Sequence, residues 1–212
     1  MDIITLIIIG ITAAISYKGF NDRYFFDKYK FNISAIKRGE KIRFLSAGFL
    51  HADMMHLIFN MLTLYFFANY IIFHLGRINF VIIYLGSLLA GNLITYYFYK
   101  NQPYYSAIGA SGAVMGILYS AILINPHITL GLFGIIPIPG FIFAIGYLVY
   151  SIYGMKNSIG NIGHTAHLGG SIAGYVLTIL LYPQVIETSR TMVIALAIPI
   201  ILFYIFRDKI KS

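Results

Sequence analysis

The chain has no cysteine and no tryptophan, and only seven acidic residues among 212. Without cysteine there is no disulfide, no thiolate nucleophile and no cysteine-bound metal. Charged residues of both signs make up 10% of the chain, against about 25% in soluble domains, so an ordinary water-soluble domain is excluded. No His-Glu-x-x-His motif occurs and no acid stands beside a histidine pair, so neither a metal site nor any other cofactor is expected. Nothing resembles a nucleic-acid module. Residues that are present are hydrophobic, 59% of the total, with a mean hydropathy of +0.80. This is the composition of an all-α membrane protein, since a spanning segment needs about 20 mostly apolar residues and must satisfy its own backbone. The net charge of +8 suits contact with anionic lipid headgroups.

Apolar stretches divide the chain into seven candidate spans in one domain, residues 1–212. Ile3 to Tyr17 is the first, read as a retained helix because no basic region or small-residue cleavage site marks it for removal. Met54 to Phe73, Phe80 to Tyr99, Gly109 to Ile124, Phe141 to Tyr153, Thr165 to Tyr182 and Thr191 to Phe206 follow. Asp53 is placed to cap the second, and Pro126, Pro137 and Pro139 break the chain before the fifth. Lys18 to Leu50 is too polar to span. Tyr24, Phe25, Phe26, Tyr29 and Phe31 alternate there with Arg23, Lys28, Lys30, Lys37, Arg38, Lys41 and Arg43, as in a segment lying at the membrane surface.

Polar groups inside a bilayer are costly, and here they fall on three spans. His56 and Asn60 are four apart and share one helix face. Ser111 opens the fourth span inside Gly109-Ala110-Ser111-Gly112, where small neighbours leave its hydroxyl reachable. His167, Gly170 and Gly174 lie on one face of the sixth, and Gly112 and Gly116 give the fourth an equally bare face. The simplest pairing brings His167 against Ser111, where a neutral imidazole can take the hydroxyl proton for acyl transfer. His56, the Asn60 amide and the Ser111 backbone N–H are candidate donors to the oxyanion that forms. A small-residue serine motif alone is more often a packing device than a nucleophile. The combination of three polar helices is not.

These residues resemble the rhomboid family of intramembrane serine proteases. The resemblance runs from Arg43 to about Tyr182 and rests on Arg43, His51…His56…Asn60, Leu75-Gly76, Gly109-x-Ser111-Gly112 and Ala166-His167-x-x-Gly170-x-x-x-Gly174. It implies a six-helix core, about residues 40–183, to which the last apolar stretch adds a C-terminal seventh helix at about 190–206. It also implies a Ser111–His167 dyad without an acidic third member, an oxyanion site at His56, Asn60 and the Ser111 N–H, and His51 holding the interfacial loop. Arg43, Gly109, Gly112, Gly170 and Gly174 would be structural supports. The fifth span and the loop 154–163 would be lateral gate and cap. Substrates would be single-span membrane proteins, and the membrane a bacterial inner membrane. A proteolytically inactive relative that escorts membrane proteins is the alternative, and a histidine-based metalloenzyme a more distant one.

The sequence departs from the family at three places. Met115 stands four residues after the serine, where an aromatic ring usually stacks on the histidine, and Ile42 and Ile72 replace residues that help anchor the loop. The cations also divide unevenly: those of the 18–43 segment, Lys100, Lys156 and the tail share the Ser111 side, leaving Arg77 and Arg190 opposite. The positive-inside rule then turns the active site to the cytoplasm, whereas the resemblance implies the outer face.

Overall fold

The computed structural model describes residues 1–132, 136–157, 159 and 163–210. The chain runs α1 (Ile3–Asn21), α2 (Arg23–Tyr29), β1 (Phe31–Asn32), α3 (Ile33–Lys37), α4 (Arg43–Ser46), a 3-10 turn (Ala47–Phe49) and α5 (Met54–Tyr99). There follow β2 (Ser106–Ala107), α6 (Ser111–Ile124), β3 (Thr129–Leu132), β4 (Ile136–Pro139), α7 (Gly140–Asn157), α8 (His164–Leu181), α9 (Val185–Thr188) and α10 (Arg190–Ile210). It is an all-α membrane bundle. By length and composition, Ile3–Asn21, Met54–Tyr99 and Arg190–Arg207 are apolar enough to cross a membrane, while α6 is a shorter apolar helix.

Burial runs opposite to a soluble bundle. α1 buries Thr5, Thr12, Ser16 and Gly19 and exposes Ile3, Leu6, Ile7 and Ile11. Small and polar faces pack inward and branched apolar faces turn out, as expected where the solvent is lipid. Asp2 caps α1 through the Ile4 N–H and pairs with Arg77 at 2.8 Å. Asp53 caps α5 as expected, accepting from the His56 N–H at 2.8 Å.

The second and third expected spans are two helices that meet at Gly76 within the range labelled α5: the backbone there is not helical, with φ +81° and ψ 166°, and that φ is left-handed. Only glycine adopts such a φ without strain, which is the physical content of the Leu75-Gly76 pair. The proline-rich connection after α6 is a β-hairpin, Thr129 opposite Pro139 and Leu132 opposite Ile136. The first short pairing, Phe31 opposite Ala107, joins the 18–50 segment to the strand that leads into α6.

That segment differs from a surface skin. Its outer part is exposed and cationic, with the Lys18 ammonium 4.5 Å above the Phe25 ring. Its inner part has its own core, with Phe31, Ile33, Ile36, Ala47 and Leu50 buried. Arg43 is itself buried and donates four hydrogen bonds to three residues. Its Nε and Nη2 reach Glu40 at 2.9 and 2.7 Å, and Nη1 donates to the Asp27 and Lys30 carbonyls, each at 2.8 Å.

At the centre, α6 lies between α5 and α8 at glycine contacts. A β-carbon at Gly170 would overlap the Gly112 carbonyl, and one at Gly174 the Gly116 carbonyl. One at Gly116 would overlap the Ser87 side chain, and one at Gly91 would sit 2.5 Å from the Ala166 carbonyl oxygen. Backbone therefore packs on backbone across all three elements, as small-residue faces permit. α10, the seventh long helix expected from sequence, lies against α7. Its Phe203 ring stacks on Phe98 at 5.9 Å, and the Val193 carbonyl accepts from the Tyr175 hydroxyl at 3.0 Å.

Candidate active site

Ser111 is the first residue of α6. Its position follows from the residue two before it. Gly109 has φ +117°, and a β-carbon there would stand 2.8 Å from His56 Cε1, 2.9 Å from His56 Nε2 and 3.6 Å from Ser111 Oγ. The glycine is needed both for its backbone angle and for the space, and that space brings the His56 ring beside the serine hydroxyl.

The close approach of α6 and α8 decides what Ser111 meets. His167 opens the glycine face of α8, and its Nε2 lies 2.6 Å from Ser111 Oγ. Its Nδ1 lies 2.6 Å from the hydroxyl of Tyr147 on α7. The pairing expected from sequence is present. The tyrosine was not expected: sequence offered it only as one of several aromatics on an apolar helix. The one signal that distinguishes it is the i, i+4 spacing from Phe143, whose ring stacks on it at 5.3 Å and 15°. Met115 is buried in the cluster that contains Leu168, so the aromatic support beside His167 arrives from α7 instead.

Asn60 is buried one turn beyond His56 and donates one Nδ2 hydrogen to the His56 carbonyl at 3.0 Å. The Ser111 N–H is among the N-terminal donors of α6 that lack an acceptor within the helix. The three expected oxyanion donors thus belong to the surroundings of one hydroxyl or to the adjoining turn.

His51 supports the site from behind. The Ser16 hydroxyl lies 2.9 Å from the Phe49 carbonyl, to which it donates, and 2.9 Å from His51 Nδ1. The other ring nitrogen, Nε2, accepts the Ala110 N–H at 3.3 Å. Those partners require the neutral tautomer with the hydrogen on Nδ1. The network extends the expected loop-holding role of His51 to two further elements, since it ties α1 and the 3-10 turn to the residue preceding Ser111. Ser16 was missed because a serine in an apolar helix looks like packing.

Burial pushes His51 down to about 3. The folded value lies below the unfolded one, so the stability this group contributes is complete above about pH 6.5 and is lost as pH falls toward the folded value. In detergent, the drop in melting temperature between about pH 7 and pH 4 is expected to be smaller in His51→Gln than in the unsubstituted protein. Equal drops would show that other groups account for the acid sensitivity.

Among the other histidines, His164 Nε2 donates to the Ile159 carbonyl at 3.1 Å, a loop contact as expected. Residues 158 and 160–162 of the expected cap, and Lys211 of the basic tail, lie outside the described residues.

Comparison with known proteins places this geometry. The Rhomboid domain model matches residues 38–184, most of the chain. The mitochondrial RHOMBOID-like protein 12 of Arabidopsis thaliana is 26% identical over 187 residues, 80% of this chain and 55% of its own. The mitochondrial Rhomboid protein 1 of Saccharomyces cerevisiae is 32% identical over 139 residues, 63% of this chain and 40% of its own. YdcA of Bacillus subtilis, whose name assigns it provisionally to the rhomboid proteases, is 36% identical over 83 residues, 39% of this chain and 40% of its own. The chain spans about half or less of the length of these curated relatives. Two of the three are mitochondrial by name, so the expected bacterial inner membrane does not follow from the likeness. Multi-pass membrane residence does.

Proposed function

Because this chain belongs to the rhomboid family, we propose that it is an intramembrane serine endopeptidase that cleaves single-span membrane proteins with a Ser111–His167 pair. The observation that carries the reading is the 2.6 Å contact between Ser111 Oγ and His167 Nε2, made where two glycine faces bring α6 and α8 together.

The reaction follows from the contact. Nε2 takes the hydroxyl proton as Oγ bonds to the scissile carbonyl carbon, and the carbonyl electron pair moves to its oxygen. The Ser111 N–H, the remaining Asn60 amide hydrogen and His56 meet that oxyanion. The Nε2 proton passes to the departing amine as the C–N bond breaks, and water, deprotonated at the same nitrogen, releases the acyl group. Arg43 and His51 keep the preceding loop in register, and Gly109, Gly112, Gly170 and Gly174 set the helix spacing.

An active-site fluorophosphonate mapped by mass spectrometry is expected to modify Ser111 and no other residue. Modification elsewhere, or none in a preparation that cleaves a single-span reporter, overturns the assignment. Asn60→Ala is expected to lower kcat by roughly 10²–10³, the scale of one lost oxyanion donor. A change below about threefold would remove Asn60 from that role. EDTA is expected to leave the rate unchanged, and inactivation by the chelator would point to a metalloenzyme instead.

A further inference from the structure

Tyr147 stands outside the pair just described and outside every motif that marked the site. Its hydroxyl is 2.6 Å from His167 Nδ1, the nitrogen facing away from Ser111. The chain Ser111 Oγ, His167 Nε2, His167 Nδ1, Tyr147 Oη is therefore continuous, with both end contacts at 2.6 Å. The tyrosine is also held in place from both sides. Phe143 stacks nearly parallel on its ring. One turn earlier the buried Tyr119 hydroxyl, from α6, donates to the Ala144 carbonyl at 2.6 Å. α7 is thus pinned to α6 at the level where it presents Tyr147 to α8.

The chemistry assigns the direction of the bond. For Nε2 to accept the serine proton it must carry a lone pair, so the neutral ring must hold its hydrogen on Nδ1. A buried N–H needs an acceptor, and the Tyr147 oxygen is within reach. We propose that Tyr147 is a positioning residue of the reaction, its phenolic oxygen accepting the His167 Nδ1–H and so fixing the tautomer and ring plane that make Nε2 the base. The proposal rests on the serine endopeptidase reading. During attack the serine proton moves to Nε2, the Nδ1–H stays on the tyrosine oxygen, and Tyr147 keeps its own proton throughout. No acidic third member is needed, and Met115 need not supply the ring. Tyr147 rides on α7, which packs on α8 and α10 and makes few direct contacts with α5 among the described residues.

The test is Tyr147→Phe, which keeps the ring and its stack on Phe143 and removes only the oxygen. The expected result is a fall in kcat of about 10–100-fold with KM within about twofold, and an equal fall in the rate of Ser111 labelling by fluorophosphonate. Nitrogen-15 NMR of the histidine side chains, with the His167 signals assigned by difference from His167→Gln, is expected to show hydrogen on Nδ1 in the unsubstituted protein. In Tyr147→Phe a mixture of tautomers is expected. Gly146→Ala, on the same helix at a position where a β-carbon meets nothing within 4 Å, is expected to stay within about threefold in kcat. Unchanged labelling in Tyr147→Phe, or hydrogen on Nε2 in the unsubstituted protein, overturns the proposal. Absence of Ser111 labelling in the unsubstituted protein would instead overturn the endopeptidase reading beneath it. The tautomer measurement needs no variant at Tyr147, so a Tyr147→Phe protein that failed to fold would leave the question decidable.

Discussion

Ser111→Ala and His167→Ala are each expected to lower kcat on a single-span reporter by roughly 10⁵–10⁶, and the double variant by no more than either alone. In the proposed mechanism the two groups share one proton. Without the hydroxyl there is no bond to form, and without the imidazole the hydroxyl stays protonated at neutral pH and is a poor nucleophile. Both variants should remain folded, because each removes a few polar atoms at the mouth of a glycine-packed seam and leaves the seam intact. The measurement is reporter cleavage in detergent or liposomes, with melting temperature recorded on the same samples. Multiplicative losses in the double variant would mean that the two residues act separately, and the shared-proton mechanism would fail. A single variant that kept a tenth of the activity would do the same.

Gly170→Ala is expected to damage both folding and activity. The new β-carbon would overlap the Gly112 carbonyl, and the obstructing atom is backbone that cannot rotate aside. α6 and α8 must separate, at a cost of about 1–3 kcal/mol for an overpacked interior, and the separation falls directly on the Ser111–His167 contact. Activity should drop by more than about tenfold even in the fraction that remains folded, since a misplacement of about 1 Å costs on the order of 10²-fold in rate. Gly146→Ala, on α7, is the control. A β-carbon there meets nothing within 4 Å, so the substitution should hold or raise the melting temperature. If Gly170→Ala melted and cleaved like the control, the glycine seam would not be what sets the spacing of the site.

The proposed site depends on two kinds of residue, those proposed to react and those that are small. Sequence reads the first kind well. Ser111, His167, His56 and Asn60 are polar groups in apolar surroundings, and the cost of placing them there makes each conspicuous. The glycines of α6 and α8 are legible too, because their spacing leaves one helix face bare. For Arg43 and His51 the partners are not legible: the Asp27 and Lys30 carbonyls and the Ala110 N–H are backbone atoms, which carry no sequence signal.

Tyr147 and Ser16 were not legible, for a different reason. An aromatic on a membrane helix is ordinary, and a serine among isoleucines is an ordinary packing residue. Their roles arise from where the hydroxyl ends up. The 18–50 segment shows the same limit. Its charges and rings announced a surface layer, and its inner side forms a small core around Phe31 and Ile36 only because β1 pairs with β2 and draws that part of the chain beneath the loop before α6.

By itself the sequence determined that this protein is an all-α membrane bundle of the rhomboid family, with one serine and one histidine on glycine-lined helices. Apolar content, helical spacing and the cost of burying a polar group are properties of single segments, so they can be read one segment at a time. Only the tertiary structure decided that His167 Nδ1 faces the Tyr147 hydroxyl and that His51 links Ser16 to Ala110. Each of these depends on the rotation and depth of one helix against another. Those are set by the sum of contacts along whole faces, and no local pattern records them.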